Sequence, residues 1–224
     1  MGIAERRVAL VIRIVAMLLA AWGILRNAGV FDGEFYPRSF LYFTVLSNLL
    51  ALVWFTMQAV RTAKDIAHSG ARGFSSVSPR FGAAVMFSLS VTMLIYLVVL
   101  IPLAGPDYVP FSLTDDLIHV ITPCLTIIDW LLFTRKGHLR WGDPFAWVLI
   151  PYAYLVLAYI YSGLGGRFSN GDTLPYPFMN PDTWGTWGVV AWIAALTVAL
   201  MIVGYIYNTL DHALWRVGRR RLTR

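Results

Sequence analysis

Cysteine occurs once in the 224 residues, at Cys124, which excludes an internal disulfide and any multi-cysteine metal site and leaves the redox compartment open. Charge is scarce as well. Only 13% of residues are charged, against 58% hydrophobic and a mean hydropathy of +0.65. Soluble domains carry about 25% charged residues, so a water-soluble globule does not fit. No stretch between the apolar runs is long enough for a soluble domain, and the sequence has neither an internal repeat nor a coiled-coil heptad. The net charge of +6 is dispersed between the apolar runs, so nucleic acid is not an expected partner.

What the chain has instead is apolar length. Several runs approach the roughly 20 residues that cross a hydrocarbon core, and each is too long and unbroken for a barrel strand. In lipid the backbone must satisfy its own polar groups, so these runs are helices. The expected fold is all-α, a polytopic membrane bundle of six transmembrane helices forming one domain over residues 1–224. The spans read as 8–25, 39–60, 81–104, 114–134, 144–163 and 184–209, with a basic tail from about residue 211. Alternate connectors differ sharply in charge. The N-terminus, the loops 61–80 and 135–143 and the C-terminal tail hold fourteen of the eighteen Lys and Arg residues. The positive-inside rule then places both termini in the cytoplasm.

The first span, with its Arg6–Arg7 pair and "LLAAWG", has the outline of a signal peptide; the expectation is that it stays, since its removal would leave five helices and a reversed N-terminus. Residues 70–80, "GARGFSSVSPR", read as a flexible loop. Ala191, Ala195 and Ala199 form a small-residue stripe suited to a close helix neighbour, while Trp141, Trp184, Trp187 and Trp215 read as interfacial anchors.

Against this apolar background the polar residues stand out. "SFLYFTVLSNLL", residues 39–50, carries Thr44, Ser47 and Asn48 on one broad helix face. His119 is the only histidine within an expected span, and ionisable groups at such depth mark function by default. Thr44 and His119 each lie about five residues inside their span from the same side, hence roughly 8 Å deep. Such a pair has the parts of a nucleophile and its base. The bland alternative for Thr44 is a hydroxyl bonded back to its own helix, and for Ser47 and Asn48 it is helix glue against oxyanion donation. Asp115 and Asp116 either fix the His119 tautomer or serve as acids at a helix start. Asp129 lies about 15 Å deeper than His119, level with Arg13, so these two form a structural ion pair.

"YFTVLSNLL" (42–50), "IHVITPCLTIIDWLLF" (118–133) and "YPF" (176–178) together resemble the androgen-induced / androgen-dependent TFPI-regulating protein family of membrane hydrolases and its bacterial relatives. The resemblance spans about residues 8–212. It implies a threonine nucleophile at Thr44 and a histidine base at His119, acting on fatty acid esters of hydroxy fatty acids, in a bacterial plasma membrane. It also brings Tyr176, Pro177 and Phe178 into the site. The chain departs from the family pattern at Asp116, where those proteins have a further histidine, and at Pro123, one residue closer to the histidine than theirs.

A lipid or fatty acid ester substrate also follows from depth, because a pair inside the outer leaflet is reached sideways by an acyl chain. Tyr176 would cover that cavity or donate to the oxyanion. The competing expectation is a non-catalytic lipid-binding or transport protein. A metal site on Asp115, Asp116 and His119 has too few ligands, and haem would need a second intramembrane histidine, so no metal and no cofactor are expected. The oligomeric state is not legible.

Overall fold

A computed structural model describes residues 2–106, 108–169 and 171–222, the side chains of residues 221 and 222 apart. Its described residues hold six helices long and apolar enough to cross a membrane. They are α1 (Arg6–Asn27), α2 (Phe43–Ser69), α3 (Pro79–Leu103), α4 (Leu113–Phe133), α5 (Asp143–Gly163) and α6 (Pro181–Leu222). The first four pack as an inner bundle; α5 and α6 pack on each other and on α3.

Burial between apolar helices in lipid gains little from the hydrophobic effect, so close packing carries the association. On α1 the buried face is Ala9, Arg13, Ala16, Ala20, Gly23 and Ile24, mostly small. At Gly23 an added Cβ would stand 2.9 Å from the Ile118 side chain and 3.0 Å from that of Leu117, so the glycine is what lets α1 approach α4. The small-residue stripe singled out in the sequence does no such work, because Ala191, Ala195 and Ala199 on α6 are all exposed.

Prolines shape α3 and α4. Each contains one widened turn, over Tyr96–Leu100 and Asp116–Ile121, where Ile101 N–H bonds the carbonyl of Tyr96 and Thr122 N–H that of Leu117. The next residue in each case is a proline, Pro102 or Pro123. A proline has no N–H and its ring crowds the preceding turn, and a five-residue loop of helix absorbs that ring. α6 is interrupted at Gly185 (φ 66°, ψ 166°), and it then runs unbroken through Leu222, so the stretch read as a tail from about residue 211 is helical.

The loop 70–78 is not the free segment its composition suggested. Arg6 donates through Nε to Ser75 Oγ (3.1 Å), Arg13 through Nη1 to the Ser75 carbonyl (3.0 Å), and Val77 N–H to Gln58 Oε1 (2.9 Å). The buried Arg13 on α1 needs acceptors and the buried Gln58 on α2 a donor, and this loop supplies both. Arg13 also binds Asp129 (Nε to Oδ1, 2.7 Å) and Thr62 Oγ1 (2.5 Å), and both members of the ion pair are almost wholly buried. Asp143 accepts from the Arg80 guanidinium and from Arg140 N–H (2.9 Å) at the same end of the bundle.

Candidate active site

The site is built at the other end, where α2 begins. Residues Pro37–Leu41 wind as a 3₁₀ helix, Tyr42 is extended, and α2 starts at Phe43. The sequence reading started this helix at residue 39, four residues too early. Thr44 therefore sits in the first turn of α2, with no helical carbonyl four residues back to bond. The first bonds of the helix run from Val45 and Leu46 N–H to the Tyr42 carbonyl (both 3.1 Å), leaving the N–H groups of Phe43 and Thr44 outside the ladder.

The Thr44 hydroxyl faces His119, Oγ1 to Nε2 3.4 Å, and both residues are buried. The other ring nitrogen, Nδ1, lies 3.2 Å from the Asp115 carbonyl oxygen. A carbonyl only accepts, so Nδ1 carries the proton and Nε2 presents its lone pair to the threonine hydroxyl. The Asp115 carboxylate is 3.8 Å from Nδ1 and accepts from the Ser112 hydroxyl (2.8 Å) at the helix start. Among the described residues Asp116 makes no hydrogen bond or ion pair with the ring.

Ser47 and Asn48 do not reach the hydroxyl. Both donate to the Thr44 carbonyl, at 3.0 and 2.8 Å, and Ser47 Oγ meets Thr92 Oγ1 at 2.8 Å. Asn48 Nδ2 also donates to the Ile118 carbonyl (2.8 Å). In a widened turn that carbonyl would be served by residue 123, which is a proline. Asn48 thus fills an orphan created by Pro123 and ties the residue before His119 to the start of α2.

Tyr96 was not singled out in the sequence. Its ring stacks on the imidazole, centroids 4.0 Å apart and planes 11° off parallel. Its hydroxyl accepts from Tyr108 Oη (3.3 Å) and from Phe111 N–H (3.1 Å). Phe111 itself has φ 63°, a conformation strained for an aromatic residue, and strain of that kind gathers at functional sites. Tyr176 is buried, stacked on Phe178 (5.6 Å, 6°) and edge-on to Tyr42 (6.2 Å, 72°). Burial pushes its phenol pKa up, and hydrogen bonding with the Thr44 hydroxyl and backbone, the Tyr154 hydroxyl and the Phe43 backbone pulls the other way.

Two cavities meet at this point. One, a narrow cleft of about 70 Å³, runs between α3, α5 and α6 and is walled by residues such as Val91, Ile95, Leu155, Phe178, Leu196 and Leu200. The second, of about 520 Å³, lies on the loop side and is lined by His119, Tyr96, Tyr42, Ser39 and Tyr108. Thr44, Leu100 and Tyr176 line both.

Among the described residues no three of His, Cys, Asp or Glu gather to hold a metal ion. Cys124 is a half-buried free thiol. The chain matches no family model, no curated protein and no solved structure with which it was compared. The site's own geometry is therefore what bears on its chemistry.

Proposed function

We propose that this is a membrane-embedded ester hydrolase in which Thr44 is the nucleophile and His119 the general base. The observation that carries it is the Thr44 hydroxyl beside the unprotonated Nε2 of His119, at the junction of an apolar and a polar cavity. Thr44 Oγ1 attacks the ester carbonyl carbon while Nε2 takes the hydroxyl proton. Nε2 returns that proton to the departing alcohol, leaving an acyl-threonine. Water, deprotonated by the same nitrogen, attacks the acyl carbon; the acid leaves and Thr44 regains its proton. The Tyr176 hydroxyl, which with Thr44 lines both cavities, is the donor suited to the oxyanion.

The apolar cavity supports an acyl chain as its occupant, since it offers a hydrocarbon little but carbon to touch. The distribution of basic residues supports a multi-pass topology with both termini in the cytoplasm and Thr44 in the outer half of the bilayer. The resemblance to the androgen-induced family and its bacterial relatives agrees with the Thr44 and His119 pairing and with a plasma-membrane setting.

The test is covalent labelling of the detergent-purified protein by a fluorophosphonate, alongside hydrolysis of a 4-nitrophenyl acyl ester. Labelling at Thr44 and loss of both signals in Thr44→Ala and His119→Gln are expected, with rates down by at least about 10³-fold. Undiminished hydrolysis in Thr44→Ala would remove the mechanism. Lipid copurifying with both forms and no turnover by either would leave a lipid-binding protein.

A further inference from the structure

We propose that the ester taken by this site carries an uncharged polyhydroxy alcohol, of glycerol or sugar type, as the part that leaves; the inference rests on the hydrolase reading. Attack by Thr44 splits the substrate at the point where the two cavities join. With the acyl chain in the apolar cavity, the alcohol falls to the polar one.

The walls of that chamber have a particular chemistry. Among the described residues, ten of the fifteen that line it carry an uncharged hydrogen-bonding side chain, and none of the fifteen is Lys, Arg, Asp or Glu. An alcohol bearing a carboxylate or phosphate would lose water there and meet no cation, which is costly for an ion. A bare hydrocarbon would fit no better, because it would leave hydroxyls unpaired. Ser39 Oγ is already buried without a partner. The Tyr42 hydroxyl accepts from Ser169 N–H (3.2 Å), which leaves its own proton to give. The Tyr96 hydroxyl, accepting from Phe111 and Tyr108, is in the same position. Three hydroxyl groups that await partners suit a ligand with several hydroxyls of its own, able to accept from each and donate in return. The volume of about 520 Å³ gives room for a ring as well as for glycerol.

The experiment compares three esters of one acyl chain: with glycerol, with glucose, and with a hydroxy fatty acid whose carboxylate is free. Each is assayed at equal detergent load with wild type, Ser39→Ala and Asn27→Lys, Asn27 being a wall residue at the end of α1. For wild type, kcat/KM is expected to be at least about tenfold higher on the better polyol ester than on the carboxylate ester. Ser39→Ala should shrink that ratio several-fold through KM, and Asn27→Lys should shift it toward the carboxylate ester. Ratios between substrates do not depend on how much of a variant is folded. Thr44-dependent turnover that favours the carboxylate ester, or treats all three alike, overturns the polyol inference and leaves the hydrolase reading standing. Absence of turnover on all three, with Thr44 unlabelled by the fluorophosphonate, removes both.

Discussion

At the scale of single residues, the site depends on which atom each neighbour of Thr44 touches. Ser47 and Asn48 hold its carbonyl, His119 faces its hydroxyl, and Tyr176 lines both cavities with it. Tyr176→Phe keeps the stack on Phe178 and removes only the oxygen. Its kcat is expected to fall by about 10²-fold with KM little changed, the pattern of a lost oxyanion donor, as measured by steady-state ester hydrolysis. Thr44 and His119 were legible in the sequence because a hydroxyl and an imidazole are conspicuous among apolar neighbours. Tyr96 was not, since an aromatic residue inside an apolar span reads as packing, and only coordinates reveal that its ring lies flat on the imidazole.

At the scale of elements, the widened turn of α4 decides where His119 points. Deleting Val120 would restore ordinary winding and turn the imidazole by about 100° relative to the rest of α4. Hydrolysis and fluorophosphonate labelling are expected to vanish, while circular dichroism and size-exclusion behaviour stay those of a folded bundle. The two prolines were visible in the sequence, at Pro102 and Pro123, and a proline in a membrane span is the signal that could have pointed to both turns. Their geometry was not visible, because a kink, a break and a widened turn are all answers to the same missing N–H. The start of α2 was misplaced for a related reason. Residues 39–42 continue the apolar pattern, and only the extended Tyr42 (φ −91°, ψ 141°) separates them from the helix. That misplacement hid the position of Thr44 in the first turn of the helix.

At the scale of the molecule, hydropathy and basic-residue counts were enough for six spans, because lipid leaves the backbone few choices. Topology is testable with cysteines. In a Cys124→Ser background, a cysteine at Arg220 should react with a membrane-impermeant maleimide only after cells are opened, and one at Asp172 should react in intact cells. The Arg13–Asp129 pair joins the two ends of the inner bundle's sequence. Asp129→Asn is expected to lower stability by about 3–5 kcal/mol, with Arg13→Met plus Asp129→Leu recovering much of it, read by thermal aggregation in detergent. A double variant no more stable than either single one would mean the charges act separately.

The same ion pair bears on biogenesis. Arg13 leaves the ribosome in the first helix, and the carboxylate it needs follows 116 residues later, in the fourth. In between, a guanidinium must wait in or near the translocon with only Thr62 and the Ser75 carbonyl arriving early. Chains truncated before α4 would carry Arg13 without its carboxylate, and they are expected to be cleared faster than the full chain, as read by pulse-chase.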